Sequence, residues 1–284
     1  MNTRFKHFIL TRFNLINEQQ YDVSYDYVNS DEYLLERFRL FELFCFPSVS
    51  GQTNKNFTWL VLFNDKLPGK WKNKCEDYKK KCPNFEPRYL SAVETREWKN
   101  MLNKLILDEI DDCDFVLTTR LDNDDAIYLS FVDSIQKYFL ENQEEAIINY
   151  ADGLQYIPKY NILKNTTFPK SHFNTLIEKN TSNLQTVLSF AHSELSNSFN
   201  SVFLKEKTPM WLEVIHSTNV VNTTFFQINN LLNDLFFIGF KYKNLNDFGI
   251  KQDIPIFNFY VWKVFFEYAF IKFKEKIIYK ILRK

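Results

Sequence analysis

The sequence predicts an α/β fold. Two short runs, Phe57 to Phe63 (FTWLVLF) and Cys113 to Thr119 (CDFVLTT), are almost wholly apolar, as strands covered on both faces are. Around them lie stretches with apolar residues at helical spacing, so strand and helix patterns alternate from Phe5 to Asn142. With 284 residues, 45% of them hydrophobic, the chain is long enough for one sizeable core. The expected organisation is a main domain over residues 1–250 and a tail over 251–284.

Taken in order, FKHFILTRF (5–13) opens the fold as a buried strand. DEYLLERFRLFELFCF follows as an amphipathic helix with Leu34, Phe38, Phe41 and Cys45 on one face, Asn29 and Glu32 as a capping box and Pro47 as its end. The apolar run 57–63 stops at Asn64-Asp65, which puts a carboxylate at a strand's carboxyl end. A lysine-rich helix is expected over 70–82 and a strand in EPRYLSA. A second amphipathic helix follows in ETREWKNMLNKLILDEI, with Trp98, Met101, Leu102, Leu105 and Ile106 on its apolar face. The strand 113–119 runs straight into Asp122-Asn123-Asp124-Asp125. A helix over Ser130 to Asn142 comes next, then two strands in INYADGLQYI joined as a hairpin at Asp152-Gly153. The pattern weakens beyond Lys164.

Composition removes several function classes. Thirty-five basic residues balance thirty-five acidic ones, so no global field would hold a polyanion, and nucleic acid is not an expected partner. Cys45, Cys75, Cys82 and Cys113 make no C-x-x-C pair, which fits reduced thiols in a cytoplasmic protein. Arg4, Lys6 and Arg12 interrupt the N-terminal apolar residues, so the start reads as neither signal peptide nor spanning helix.

The acidic turn carries the chemistry. In open α/β sheets ligands collect beyond the carboxyl ends of strands, where Asp122, Asp124 and Asp125 are expected to stand. Like charges about 4 Å apart repel by roughly 4 kcal/mol at an effective dielectric near 20, and a divalent cation turns that repulsion into a binding site. Oxygen ligands favour Mg²⁺ or Mn²⁺ held jointly with substrate phosphates, and such an ion neutralises charge on a departing diphosphate. Arg120 stands two residues earlier to assist. An isolated D-x-D is more often a solvated turn or a structural calcium loop; the buried strand directly before this one raises the weight of the metal–diphosphate reading.

HFILTRFN, ERFRLFELFCFPSVSGQTNKNFTWLVLFND, TTRLDNDDAI and PMWLEVIHSTN together resemble the bacterial putative rhamnosyltransferase family, of the GT-A glycosyltransferase type, over most of residues 7 to 219. The resemblance implies a GT-A, Rossmann-like nucleotide-diphospho-sugar transferase fold with a mixed central sheet and a nucleotide-sugar donor. It also implies that Asp122 and Asp124 meet the donor diphosphate through Mn²⁺ or Mg²⁺, with Asp125 as ligand or orienting group. By the same resemblance Arg12 and Asp65 lie around the donor's nucleoside, Arg120 near its phosphates, and His216 returns to the metal.

No downstream Glu-Asp pair names a general base. Asp152, Glu178, His192 and Glu194 are the candidates to take a proton from the acceptor hydroxyl, with Glu178 and Glu194 first. The segment 255–284 mixes aromatics with lysines at helical spacing, which predicts a C-terminal amphipathic helix that packs on the domain or lies on the inner face of a membrane. The expected activity is transfer of a hexose or deoxyhexose to a glycan or lipid-linked glycan acceptor in surface polysaccharide synthesis. The competing classes are a metal-dependent phosphoesterase and a catalytically silent nucleotide- or glycan-binding protein.

Overall fold

The computed structural model describes residues 3–15, 25–91, 98–110, 112–158, 162–169, 171–189, 199–216 and 244–253. Four parallel neighbours form one half of a seven-stranded sheet: β1 (Phe5–Arg12), β2 (Thr58–Asn64), β3 (Phe85–Leu90) and β4 (Phe115–Arg120). The other half holds β6 (Ala146–Tyr150), β9 (Thr175–Lys179) and β10 (Ser201–Leu204), and the order is β10-β6-β9-β4-β1-β2-β3. β9 runs antiparallel to both β4 and β6, so the sheet is mixed. A second sheet of order β5-β11-β7-β8 contains β5 (Ala126–Ile127), β7 (Asp152–Ile157), β8 (Ile162–Thr167) and β11 (Trp211–Val214). The short pair β12 (Asn244–Leu245) and β13 (Ile250–Asp253) stands apart from both.

The apolar runs are continuous because the main sheet is covered on both faces. Ile9, Trp59, Val61 and Phe63 face a core shared with Leu34, Phe38 and Phe41 on one side. Phe8, Leu10, Leu60 and Leu62 face Leu102 and Ile106 on the other. Leu34 and Phe38 come from α2 (Asp31–Leu40), which follows the short α1 (Tyr25–Val28), Phe41 from the turn directly after α2, and Leu102 and Ile106 from α5 (Trp98–Glu109). α4 (Gly69–Lys81) and α6 (Phe131–Asn142) add Trp71, Tyr78, Phe131 and Phe139 to the first core. Burying one such side chain contributes about 1.5–3 kcal/mol.

Two local expectations are corrected. The N-cap of α2 is Ser30, whose hydroxyl accepts from the Tyr33 N–H at 3.3 Å, while Asn29 turns its amide to Asn64. Pro47 does not end the helix: residues Phe41–Cys45 widen into a π-helical turn, and α3 (Phe46–Ser50) continues with Pro47 in its first turn. A proline lacks the N–H and crowds the carbonyl four residues back, and the wider winding relieves both problems. The π turn also points Phe44 at Tyr156 of the second sheet, where Leu40, Leu154, Leu212 and Val214 complete a third core.

The Asp152-Gly153 hairpin is likewise not formed. β6 and β7 belong to different sheets, and β7 instead pairs with β8. Gly153 lies inside β7, where a Cβ would come within 2.1 Å of the Trp211 indole; the residue is there to admit the ring. β13 runs across residue 251, and the amphipathic helix expected over 255–284 lies outside the described residues. Among the described residues no helix is long and apolar enough to cross a membrane, and all four cysteines are free.

Candidate metal centre

β1, β2 and β4 are adjacent and parallel, so Arg12, Asn64-Asp65 and Arg120 leave the sheet on one rim. The ladder continues one residue further, from the Leu121 N–H to the Leu10 carbonyl at 3.1 Å. Asn123 then pins the acidic turn to the exit of β1, its side-chain amide donating to the carbonyls of Arg12 and Phe13 at 2.8 Å each. The Asp125 N–H donates to the Asp122 carbonyl at 3.3 Å and closes the turn. Directly afterwards β5 pairs with β11, so the turn is the crossing from the first sheet to the second.

Each carboxylate has its own partners. Asp122 accepts from the Arg120 Nε and Nη2 at 3.3 and 3.0 Å. Asp124 Oδ2 accepts from Arg37 Nη1 at 3.1 Å and lies 2.7 Å from His216 Nε2. Asp125 Oδ1 accepts from the Val214 N–H at 2.8 Å, and its Oδ2 lies 2.9 Å from His172 Nε2. His172 reaches this place because β9 starts beside the end of β4, fixed by the Arg120 N–H to Asn174 carbonyl bond of 3.0 Å and the Thr175–Thr119 register.

Burial pushes all three acids upward, and the cations decide the outcome. For Asp122 the charges of Arg120, His172 and Arg12 overcome burial and hold it well below the usual carboxylate range. For Asp124 Arg37 and the His216 hydrogen bond outweigh burial and lower the carboxyl from its ordinary value. For Asp125 burial, reinforced by Asp124 and Glu213, outweighs His172 and pushes the carboxyl up to about 7. Burial lowers the Arg12 guanidinium from its ordinary value, opposed by Asp122 and reinforced by Arg120.

One ligand atom each from Asp122, Asp125 and His172 lies within 4.8 Å of the others. Ligands about 2.1 Å from one ion stand roughly 3.0 Å apart in cis and at most roughly 4.2 Å apart in trans, so the His172–Asp125 pair at 2.9 Å already has ligand spacing, while the widest pair of the trio would have to draw in before all three could share an ion. Two carboxylate oxygens and an imidazole nitrogen suit Mn²⁺ or Mg²⁺, with the nitrogen favouring Mn²⁺.

A family profile described as Putative rhamnosyl transferase matches residues 2–228. The chain belongs to that family. No curated protein matches it. Among solved structures it is similar to S. aureus TarS 1-349, with 10% identity, a TM-score of 0.41 and coverage of 74% of this chain and 60% of that one. A longer S. aureus TarS chain matches with 11% identity and a TM-score of 0.37, covering 84% of this chain and 41% of that one. A protein described as a putative nucleotide-diphospho-sugar transferase from Desulfovibrio desulfuricans G20 matches with 9% identity and a TM-score of 0.34, covering 87% of this chain and 94% of that one. The chain thus spans less than two thirds of either TarS chain.

In this rhamnosyl transferase family member the structure gathers Arg12, Arg120, Asp122, Asp124 and His216 around one turn, with Asp65 on the same rim at the end of β2. Asp65 Oδ1 is buried without a hydrogen-bond partner. Glu178 is not gathered there: it pairs in register with Val116, near the start of β4, and its carboxylate accepts the N–H groups of Gln185 and Thr186 at 2.9 and 3.0 Å. Asp152 opens β7, with Oδ1 accepting from Thr167 at 2.7 Å. His192 and Glu194 lie outside the described residues.

Three residues of the centre were not anticipated. Arg37 lies on the apolar stripe of α2 between Leu34 and Phe41, and a charge in that position must find a counter-ion; this signal was readable. His172 stands alone in a stretch without periodicity and announced nothing. Glu213, 4% exposed and bonded to Gln155 at 2.5 Å, looked like one polar residue in an apolar strand.

Proposed function

We propose that this chain is a GT-A type, metal-dependent transferase that moves a hexose or deoxyhexose from a nucleoside-diphosphate sugar to a hydroxyl of a glycan acceptor. The observation that carries the reading is the trio Asp122, Asp125 and His172 at the strand-end rim, flanked by Arg12 and Arg120. The trio would hold Mn²⁺ or Mg²⁺, which supplies charge neutralisation for the departing diphosphate. Arg12 and Arg120 pair with the phosphate oxygens. Asp65, with its buried unpartnered oxygen, accepts a hydrogen bond from the nucleoside. Asp124, clamped between Arg37 and His216, keeps the turn in shape and stays beside the diphosphate.

The acceptor proton needs a carboxylate on the second-sheet side. Glu213 alternates with Val214, whose N–H bonds Asp125, and its charge is felt by Asp125. It takes the hydroxyl proton as the new bond to the sugar carbon forms and the old carbon–oxygen bond breaks, its electron pair leaving with the phosphate. A metal-dependent phosphoesterase would want more ligands than the one trio found among the described residues.

A thermal-shift panel of nucleoside diphosphates and nucleotide sugars, each with Mn²⁺ or with chelator, tests the donor half. A ligand at about 100 times its Kd adds roughly 2.7 kcal/mol. The expected result is a Mn²⁺-dependent rise for at least one base, abolished in Asp122→Asn. Absence of any metal-dependent shift across the panel refutes the reading.

A further inference from the structure

The loop before β11 and the β7–β8 hairpin enclose an open cavity of about 180 Å³. Its polar lining includes Asp152, Asn165, Thr166, Thr167, Glu206 and Lys207. Two carboxylates against the single cation Lys207 leave the lining net negative, which favours a neutral occupant over a nucleotide or a phosphate. Hydroxyls, an amide and carboxylates side by side instead match a neutral molecule with many hydroxyls, each of which both donates and accepts.

A second observation points the same way. The Trp211 ring, lying against Gly153, stacks on Phe173 at 4.9 Å and 13° and on Phe168 at 6.1 Å and 11°. Phe168 directly follows the cavity residue Thr167 and is 41% exposed, so a large aromatic ring is held at a fixed tilt and offered to solvent. A ring presented this way suits the C–H face of a pyranose, and a buried stack behind it removes the entropy cost of ordering it.

The row of rings also leads to the metal centre. Phe173 meets the His172 ring at 4.2 Å. Along β11, Trp211 stands at the cavity end and Val214, bonded to Asp125, three residues on, which is about 10 Å at strand rise. A short oligosaccharide bridges that span.

We propose that this cavity and the Phe168 ring form a subsite for a neutral pyranose of the acceptor glycan, one or two sugar residues from the reacting hydroxyl. The acceptor role rests on the transferase reading above; the sugar binding itself does not.

Saturation-transfer NMR on the full chain tests it with four probes at millimolar concentration: methyl α-L-rhamnopyranoside, methyl α-D-glucopyranoside, methyl α-D-galactopyranoside and methyl N-acetyl-β-D-glucosaminide. At least one is expected to receive saturation on its ring C–H protons. Phe168→Ala should cut that signal fivefold or more, Phe168→Tyr should keep it, and Asp122→Asn should leave it unchanged. No saturation for any probe, or an undiminished signal in Phe168→Ala, overturns the subsite. The nucleotide shift with Mn²⁺ is run on the same variants. Its persistence in Phe168→Ala shows a folded protein and a surviving donor reading whatever the sugars do. Its absence from the wild type beside a Phe168-dependent sugar signal sinks the donor reading and leaves the subsite standing.

Discussion

Replacing Arg37 with Met removes one cation from Asp124 while keeping most of the volume of the side chain. Both partners are well shielded, with 15% and 8% of their side chains exposed, so solvent screens the pair weakly. Breaking a buried pair from one side costs about 3–5 kcal/mol, because the remaining charge stays buried without its partner. His216 remains 2.7 Å from Asp124, which argues for the lower end, about 3 kcal/mol. With a urea m-value near 3 kcal/mol/M the unfolding midpoint falls by about 1 M, with the slope unchanged. Arg37→Met/Asp124→Asn removes the orphaned charge, so the double variant is expected to be more stable than Arg37→Met alone by at least about 1 kcal/mol. A loss below about 1 kcal/mol in the single variant, or costs that simply add in the double, refutes the view that Arg37 exists to neutralise Asp124.

Two further variants address stability. Burial raises the Glu178 carboxyl to about 7, only partly opposed by the Gln185 N–H and reinforced by Glu145. Its folded-state affinity for the proton exceeds the unfolded one, so this contribution is fully present below about pH 4.5 and is lost as pH rises through about 7. Glu178→Gln should therefore flatten the stability–pH curve between pH 5 and 8 by up to about 3 kcal/mol, measured by urea titration; parallel curves for the two proteins would exclude it. Gly153→Ala drives a methyl into the Trp211 indole and should cost at least about 1–3 kcal/mol with altered tryptophan fluorescence; a loss under about 0.5 kcal/mol would show that the ring can move aside.

The parallel half of the main sheet was legible because strands covered on both faces leave unbroken apolar runs such as FTWLVLF, and because the helices between them keep clean apolar stripes. The acidic turn was legible for the same reason: the unbroken apolar run of β4 stops directly before it. Residues whose meaning depends on a partner far along the chain resisted. Gly153 has the sequence neighbours of a turn, yet its role is set by a tryptophan on another strand. Pro47 would end a regular helix, and only the π turn before it lets the chain continue. His172, in the loop just before β9, and Glu213, inside β11, have neighbours chosen by topology, which periodicity does not encode.

The position of the turn between the two sheets also bears on how the protein acquires its centre. The bonds from Asp124 to His216 and from Asp125 to Val214 close chain segments of 92 and 89 residues. Closing such long segments is entropically costly and slow compared with the local contacts of α2 or the β7–β8 hairpin. Until β11 docks, Asp124 and Asp125 repel each other with neither His216 nor the Val214 amide to offset them. Docking of β11 therefore adds two of the bonds that make the carboxylates compatible, beside those from Arg37 and His172, and a divalent ion present during refolding is expected to speed that step.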